Sequence, residues 1–175
     1  MRTSTSLWDQ FVPSDYFDRN YRQLRSEDES LLSRTRDHFA RAALTPNARA
    51  IDVGPGANLW PALAMLPIAE DVTLIEPSRP ARAWLQEEIA RADRRWRPYW
   101  DILRRHPRYA RIGDPWALLP ERATVVDGDV YQLDEASWDL GTMFFVAESV
   151  TTERDEFYRA VRSFIAALRP GAPFG

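Results

Sequence analysis

Cysteine and lysine are both absent from this 175-residue chain. The first absence removes thiolate nucleophiles, disulfides and thiolate-held zinc. The second removes Schiff-base chemistry and any phosphate loop of the Gly-Lys-Ser/Thr type. All 23 basic residues are therefore arginine, a bias that points to gene base composition rather than to function. Histidine occurs only as His38 and His106, too few for a histidine-built metal cage, and both are expected on the surface or in packing. No apolar run approaches the ~20 residues of a bilayer span. The first residues, "MRTSTSLWDQF", lack the apolar core of a secretion signal, so a cytoplasmic protein without membrane contact is expected. A net charge of -3 gives no reason to expect a nucleic-acid partner. Carboxylates, tyrosines, backbone groups and a borrowed reactive cofactor are left to run any chemistry.

What is present alternates between strand and helix signals. Ser26 with Glu29 reads as a capping box opening a helix whose inner face carries Leu31, Leu32, Thr35, Phe39 and Ala42. Strand 1 is expected at about 49–54, a helix at about 58–66, and strand 2 in "DVTLIEP". Pro80 suits the first turn of a helix through "ARAWLQEEIARADRRW". "ATVVDGD" reads as strand 3, and "DLGTMFFVA" as a strand 4 buried on both faces. "RDEFYRAVRSFIAALRPG" reads as an amphipathic helix stopped by Pro170 and Gly171. This order predicts an α/β, Rossmann-like, doubly wound and mostly parallel sheet. The chain stops at "APFG", where a fifth strand is expected to begin, which predicts strand 4 as an open edge.

"RAIDVGPGANLWPALAML" joins strand 1 to its helix through Gly54 and Gly56, which suits close approach of a nucleotide cofactor to the backbone. The third glycine of a dinucleotide fingerprint falls at Leu59 and is missing. Glu76 closes strand 2, 20 residues after Gly56, where a carboxylate takes ribose hydroxyls. Asp52 precedes Gly54 by two, and Asp129 follows strand 3 at the adenine end of an adenosine ligand. Three carboxylates oppose a pyrophosphate and suit a sulfonium bearing an α-amino group, so S-adenosylmethionine is preferred. An NAD-dependent oxidoreductase remains the enzyme alternative. The stretch "RRWRPYWDILRRHPRYAR" interleaves cations and aromatics as single-strand binders do. Its helical spacing favours a solvated face with packed tryptophans, part of which is a candidate roof for a substrate pocket.

On these residues the chain resembles a class I S-adenosylmethionine-dependent methyltransferase, and more narrowly the nicotinamide/phenylethanolamine/thioether methyltransferase family, in a bacterial branch. "FVPSDYFDRNY" is similar to the N-terminal tyrosine segment of that family, "DVGPGANLWPAL" to its glycine loop, "DGDV" to its adenine contact, and "FVAESV" to a segment carrying a substrate-binding glutamate. The resemblance implies residues 1–45 as an N-terminal helical lid and 46–175 as the cofactor-binding core, its C-terminal strands truncated. It implies Tyr16 and Tyr21 folding over the cofactor, and Gly54 and Gly56 against its methionine part. Glu76 falls to the ribose, Asp129 and the Val130 backbone to adenine, and Glu148 to the acceptor. Ala81 stands where the family has Asn. The implied reaction is methyl transfer from S-adenosyl-L-methionine to a small molecule, an amine or heterocyclic nitrogen, leaving S-adenosyl-L-homocysteine. Other expectations are a non-catalytic or partner-completed subunit, and a homo-oligomer or completing partner along the strand 4 edge.

Overall fold

The computed structural model describes residues 10, 12–91, 94–150 and 153–175, the side chains of Arg94, Glu148 and Val150 excepted. Helices α1 (Pro13–Asn20) and α2 (Ser26–Ala40) precede β1 (Arg49–Val53), α3 (Trp60–Met65) and β2 (Asp71–Ile75). Helix α4 (Arg79–Arg91) then leads to α5 (Arg97–Leu103), α6 (Pro107–Ala110) and α7 (Pro115–Arg122). The remaining elements are β3 (Ala123–Val126), β4 (Leu140–Thr142), α8 (Ala147–Val150) and α9 (Arg154–Ala167). The four strands are parallel in the order β3-β2-β1-β4, so the order reverses between β1 and β4. That reversal splays the loops leaving two neighbouring strands and opens a crevice at their carboxyl ends.

Both faces of the sheet are covered, as the strand composition requires. Ala50, Val72, Leu74 and Leu140 pack with Leu32, Phe39, Leu63 and Trp96 on one side. Ile51, Val53 and Ile75 pack with Trp138, Ala160, Phe164 and Leu168 on the other. Gly141 makes the second contact possible, because a Cβ there would stand 2.9 Å from Ile51 Cγ2 and 3.0 Å from Phe164 Cε2.

Several short helices share one device. Proline in the first turn of α1, α5, α6 and α7 costs no hydrogen bond and presets φ. Asp114 caps α7 by accepting from Trp116 N–H at 2.9 Å, and His106 Nδ1 caps α6 by accepting from Arg108 N–H. His38 is exposed. The Arg/Trp-rich stretch is resolved by burial: Trp96, Tyr99, Trp100 and Tyr109 are all core residues. Trp96 Nε1 donates to the buried Glu88 at 3.1 Å, and Arg95 pairs with Glu88 at 3.2 Å. Arg108 and Arg122 donate to helix-end carbonyls at Ala42 and Leu66. This stretch is structural packing and reaches the site through Tyr99, whose hydroxyl donates to the Tyr21 carbonyl at 3.1 Å.

Three expectations are corrected. The Ser26–Glu29 capping box does not form: α2 starts at Ser26 without a side-chain cap, Ser26 Oγ donates to Glu27, and Glu29 pairs with Arg105. The strand expected over 139–147 is ordered as a strand only at Leu140–Thr142. The chain turns out at Phe145, whose φ is +62°, so that Val146 reaches Gly54. The β4 edge is also not bare. Gly141 N–H donates to Pro173 O at 3.2 Å, Gly175 N–H to Gly141 O at 3.1 Å, and Met143 N–H to Gly175 O at 3.0 Å. No described helix is long and apolar enough to cross a membrane.

Candidate functional site

The crevice is a cavity of about 250 Å³ at the carboxyl ends of β1, β2 and β4. Its floor is the loop after β1. Gly54 and Gly56 hold φ of +64° and +59°, a left-handed conformation that costs other residues about 1–2 kcal/mol. At Gly54 a Cβ would also lie 2.7 Å from Val146 Cγ2, so this glycine lets the loop after β4 close on the loop after β1. At Gly56 a Cβ would meet nothing within 4 Å, leaving its backbone open to a ligand.

Glu76 organises this floor. Its Oε2 accepts from Gly56 N–H at 2.9 Å and its Oε1 from Ser78 N–H at 2.8 Å. Its own N–H donates to Val126 O at 3.1 Å, tying β2 to the end of β3. Glu76 is 5% exposed, and burial raises its carboxyl pKa above the ordinary value while the two N–H donors oppose that shift. Each oxygen keeps a second lone pair for a ligand hydroxyl.

Asp52 is the most constrained group. It is 1% exposed; Oδ1 accepts from Thr142 Oγ1 at 2.8 Å, and Oδ2 is buried without a protein partner. Burial pushes its carboxyl from 3.8 up to about 7, with the Thr142 bond opposing and the Glu76 charge adding. A cation delivered here gains a partner and pulls both acids back toward ionisation.

In the loop after β3, Asp129 Oδ1 accepts from Tyr131 N–H at 2.9 Å, starting a single turn over Val130–Gln132 with Val130 buried. Tyr16, midway along α1, and Tyr21, just after it, line the cavity with ring centroids 5.9 Å apart. Tyr21 is held in an aromatic cluster with Phe17 and Trp96, and burial shifts its hydroxyl pKa upward. Phe144, its ring centroid 4.8 Å from that of Trp60 and tilted by 42°, lines the cavity with Phe145 and Val146.

Of the residues singled out from sequence, Tyr16, Tyr21, Asp52, Gly54, Gly56, Glu76, Asp129 and Val130 all line this one cavity. Glu148 belongs to α8, and its side chain lies outside the described residues. Ala81, where the resembled family has Asn, is a lining residue, while Leu59 is buried at the start of α3. Thr142, Ser78 and Asn58 were not foreseen. A hydroxyl inside an apolar strand and a serine just before a helix were the available signals for the first two. Asn58 is 5% exposed and its Oδ1 accepts from Trp60 N–H at 3.2 Å, capping α3 from the cavity side.

The parallel four-stranded sheet and its flanking helices match the Rossmann-like fold of class I methyltransferases. DhpI in complex with S-adenosylhomocysteine is similar over 98% of this chain and 66% of its own, with TM-score 0.57 and 14% identity. The glycopeptide N-methyltransferase MtfA is similar over 82% of this chain and 51% of its own, with TM-score 0.51 and 19% identity. The (4+2)-cyclase SpnF is similar over 80% and 42%, with TM-score 0.51 and 22% identity. The chain thus spans between 42% and 66% of the length of these three proteins. No family model matches the chain, and no curated protein matches it in sequence.

Proposed function

We propose that the chain binds S-adenosyl-L-methionine and transfers its methyl group to a small-molecule amine or heterocyclic nitrogen, releasing S-adenosyl-L-homocysteine. The observation that carries this reading is electrostatic. Asp52, Glu76 and Asp129 line one cavity, and among the described residues no cationic side chain lines it. Such a site repels pyrophosphate and suits a ligand with a sulfonium and an ammonium. The unpartnered Asp52 Oδ2 and the open face of Gly56 fit such a group.

When bound, the cofactor supplies a methyl group on an excellent leaving group, so the protein's task is positioning and desolvation. Asp52 holds the positive end. Gly54 and Gly56 admit the chain of the ligand to the backbone, Glu76 takes the ribose, and Asp129 with the Val130 backbone takes the base. Within the 1–45 region Tyr16 and Tyr21 serve as the lid and shut out water while α2 stays packed in the core, and Phe144 to Val146 give the acceptor an apolar wall. Within class I enzymes, the quoted motifs support a place beside the nicotinamide/phenylethanolamine/thioether family, with Glu148 orienting the acceptor nitrogen. Glu148→Gln is expected to lower turnover about tenfold or more while cofactor affinity stays unchanged. Equal turnover in steady-state assays removes Glu148 from the site. A second reading, a cofactor-binding chain without methyl transfer, is favoured by one observation: the same fold occurs in a cyclase.

Calorimetric titration with S-adenosylhomocysteine, and with NAD in parallel, tests the reading. Micromolar binding of the first and none of the second is expected. Binding of NAD alone, or of neither, overturns it.

A further inference from the structure

Glu76 and Asp129 line the same cavity from two different loops, those leaving β2 and β3. Strands β2 and β3 pair only as far as Ile75 and Val126. Beyond that, among the described residues the one ladder bond left is Glu76 N–H to Val126 O, and no backbone N–H meets the carbonyls of Glu76 and Pro77. One side chain closes the gap. Arg82, in the first turn of α4, donates from Nη1 to Glu76 O at 2.8 Å, to Pro77 O at 2.7 Å and to Asp127 Oδ1 at 2.9 Å. Its side chain is 19% exposed, whereas Asp127 is 74% exposed. Arg82 Nη1 is therefore anchored beside the two loops, and Asp127 is drawn to it from solvent. Arg82 does not line the cavity.

We propose that Arg82 is the positioning residue for the nucleoside end of the site, clamping the β2 and β3 loops together so that Glu76 and Asp129 stand ready before any ligand arrives. The proposal rests on the cofactor reading above and adds a residue to it. All three contacts are made by Nη1, so its two N–H groups are shared among two carbonyls and a carboxylate, and charge-assisted bonds of this kind are stronger than neutral ones. The three Arg82 contacts and the Glu76 carboxylate bonds to Gly56 and Ser78 form one connected frame. Loosening one corner shifts the other.

The test has two arms. Amide hydrogen exchange on the ligand-free chain reads the clamp without any ligand. In Arg82→Met, the amides of Glu76 and Ser78 and those at 127–131 are expected to exchange about tenfold faster or more, with those of β1 unchanged. Asp127→Ala cuts only one link at an exposed position, so it folds whatever Arg82→Met does; only the 127–131 amides are expected to speed up. In the second arm, calorimetry with S-adenosylhomocysteine and with 5′-deoxy-5′-methylthioadenosine, which lacks the amino acid, is expected to show the same loss of about tenfold for both in Arg82→Met. A variant with a lower Tm but native exchange in both loops and affinity within about twofold of native overturns the proposal. A native chain that binds no S-adenosylhomocysteine overturns the cofactor reading instead, and the exchange arm still decides the clamp.

Discussion

Asp52→Asn is expected to make the ligand-free chain more stable at pH 8 and less able to bind its cofactor. The carboxyl is 1% exposed, has one hydroxyl partner and keeps one oxygen unpaired, so its ionised form is poorly supported. Its pKa in the fold is about 7 against 3.8 ordinarily. Between those values the folded state holds a proton that the unfolded chain has released. Stability from this group is therefore present in acid and is lost as pH rises toward 7, by roughly 4 kcal/mol at the most. Asn keeps an acceptor for Thr142 and never ionises, so the variant is expected to gain about 1–3 kcal/mol at pH 8, several degrees in Tm for a chain this size. The burial-raised Glu76 keeps a smaller dependence of the same sign.

Binding runs in the opposite sense. A cationic ligand prefers ionised Asp52, so native affinity for S-adenosylmethionine is expected to climb as pH rises from about 6 to 8, and the Asn variant to show a flatter curve and weaker binding throughout. Thermal unfolding from pH 5 to 8, with calorimetry at the same pH values, reads both. A native Tm that does not fall over that range sinks the account of Asp52.

Removing the Glu76 carboxylate is expected to abolish cofactor binding. Two roles meet in this side chain. In the protein it satisfies Gly56 N–H and Ser78 N–H; toward a ligand its remaining lone pairs accept the ribose hydroxyls. Glu76→Ala orphans two N–H groups at about 1–3 kcal/mol each and leaves the ribose without an acceptor. Affinity is expected to fall about a hundredfold or more. Glu76→Gln keeps one acceptor oxygen and turns the other position into a donor facing an N–H, so it falls between. The pair separates the roles: if Gln restores the native Tm without restoring affinity, ribose binding dominates. Affinity for S-adenosylhomocysteine unchanged in Glu76→Ala would sink the ribose assignment.

Much of this site was legible because its signals are local. Gly54 and Gly56 sit between a strand and a helix, and an acid closes the following strand, so position in the chain already says which end of the sheet each faces. Two failures were of another kind. The apolar run "DLGTMFFVA" reads as one long strand, yet it pairs with β1 only over Leu140–Thr142, and the chain bends at Phe145, which brings Val146 over Gly54. The capping-box signal at Ser26 failed because the helix begins at Ser26 itself with Arg25 in the cap position, which leaves Ser26 Oγ to Glu27 and Glu29 to an exposed pair with Arg105.

The sequence by itself determined the order of strands and helices, the parallel sheet, the loop that needs glycine, and the acids at its mouth. Periodicity, φ preference and chain order are properties of short segments, and they survive without knowledge of what lies across the fold. Only the tertiary structure decided that Asp52 is sealed against Thr142, that Glu76 braces the glycine loop, that Arg82 joins two loops, and that the tryptophans of the Arg-rich stretch serve the core. Each of these depends on which distant residue arrives alongside. Burial and hydrogen-bond partners, which set a carboxylate's charge and reach, are settled by that arrival alone.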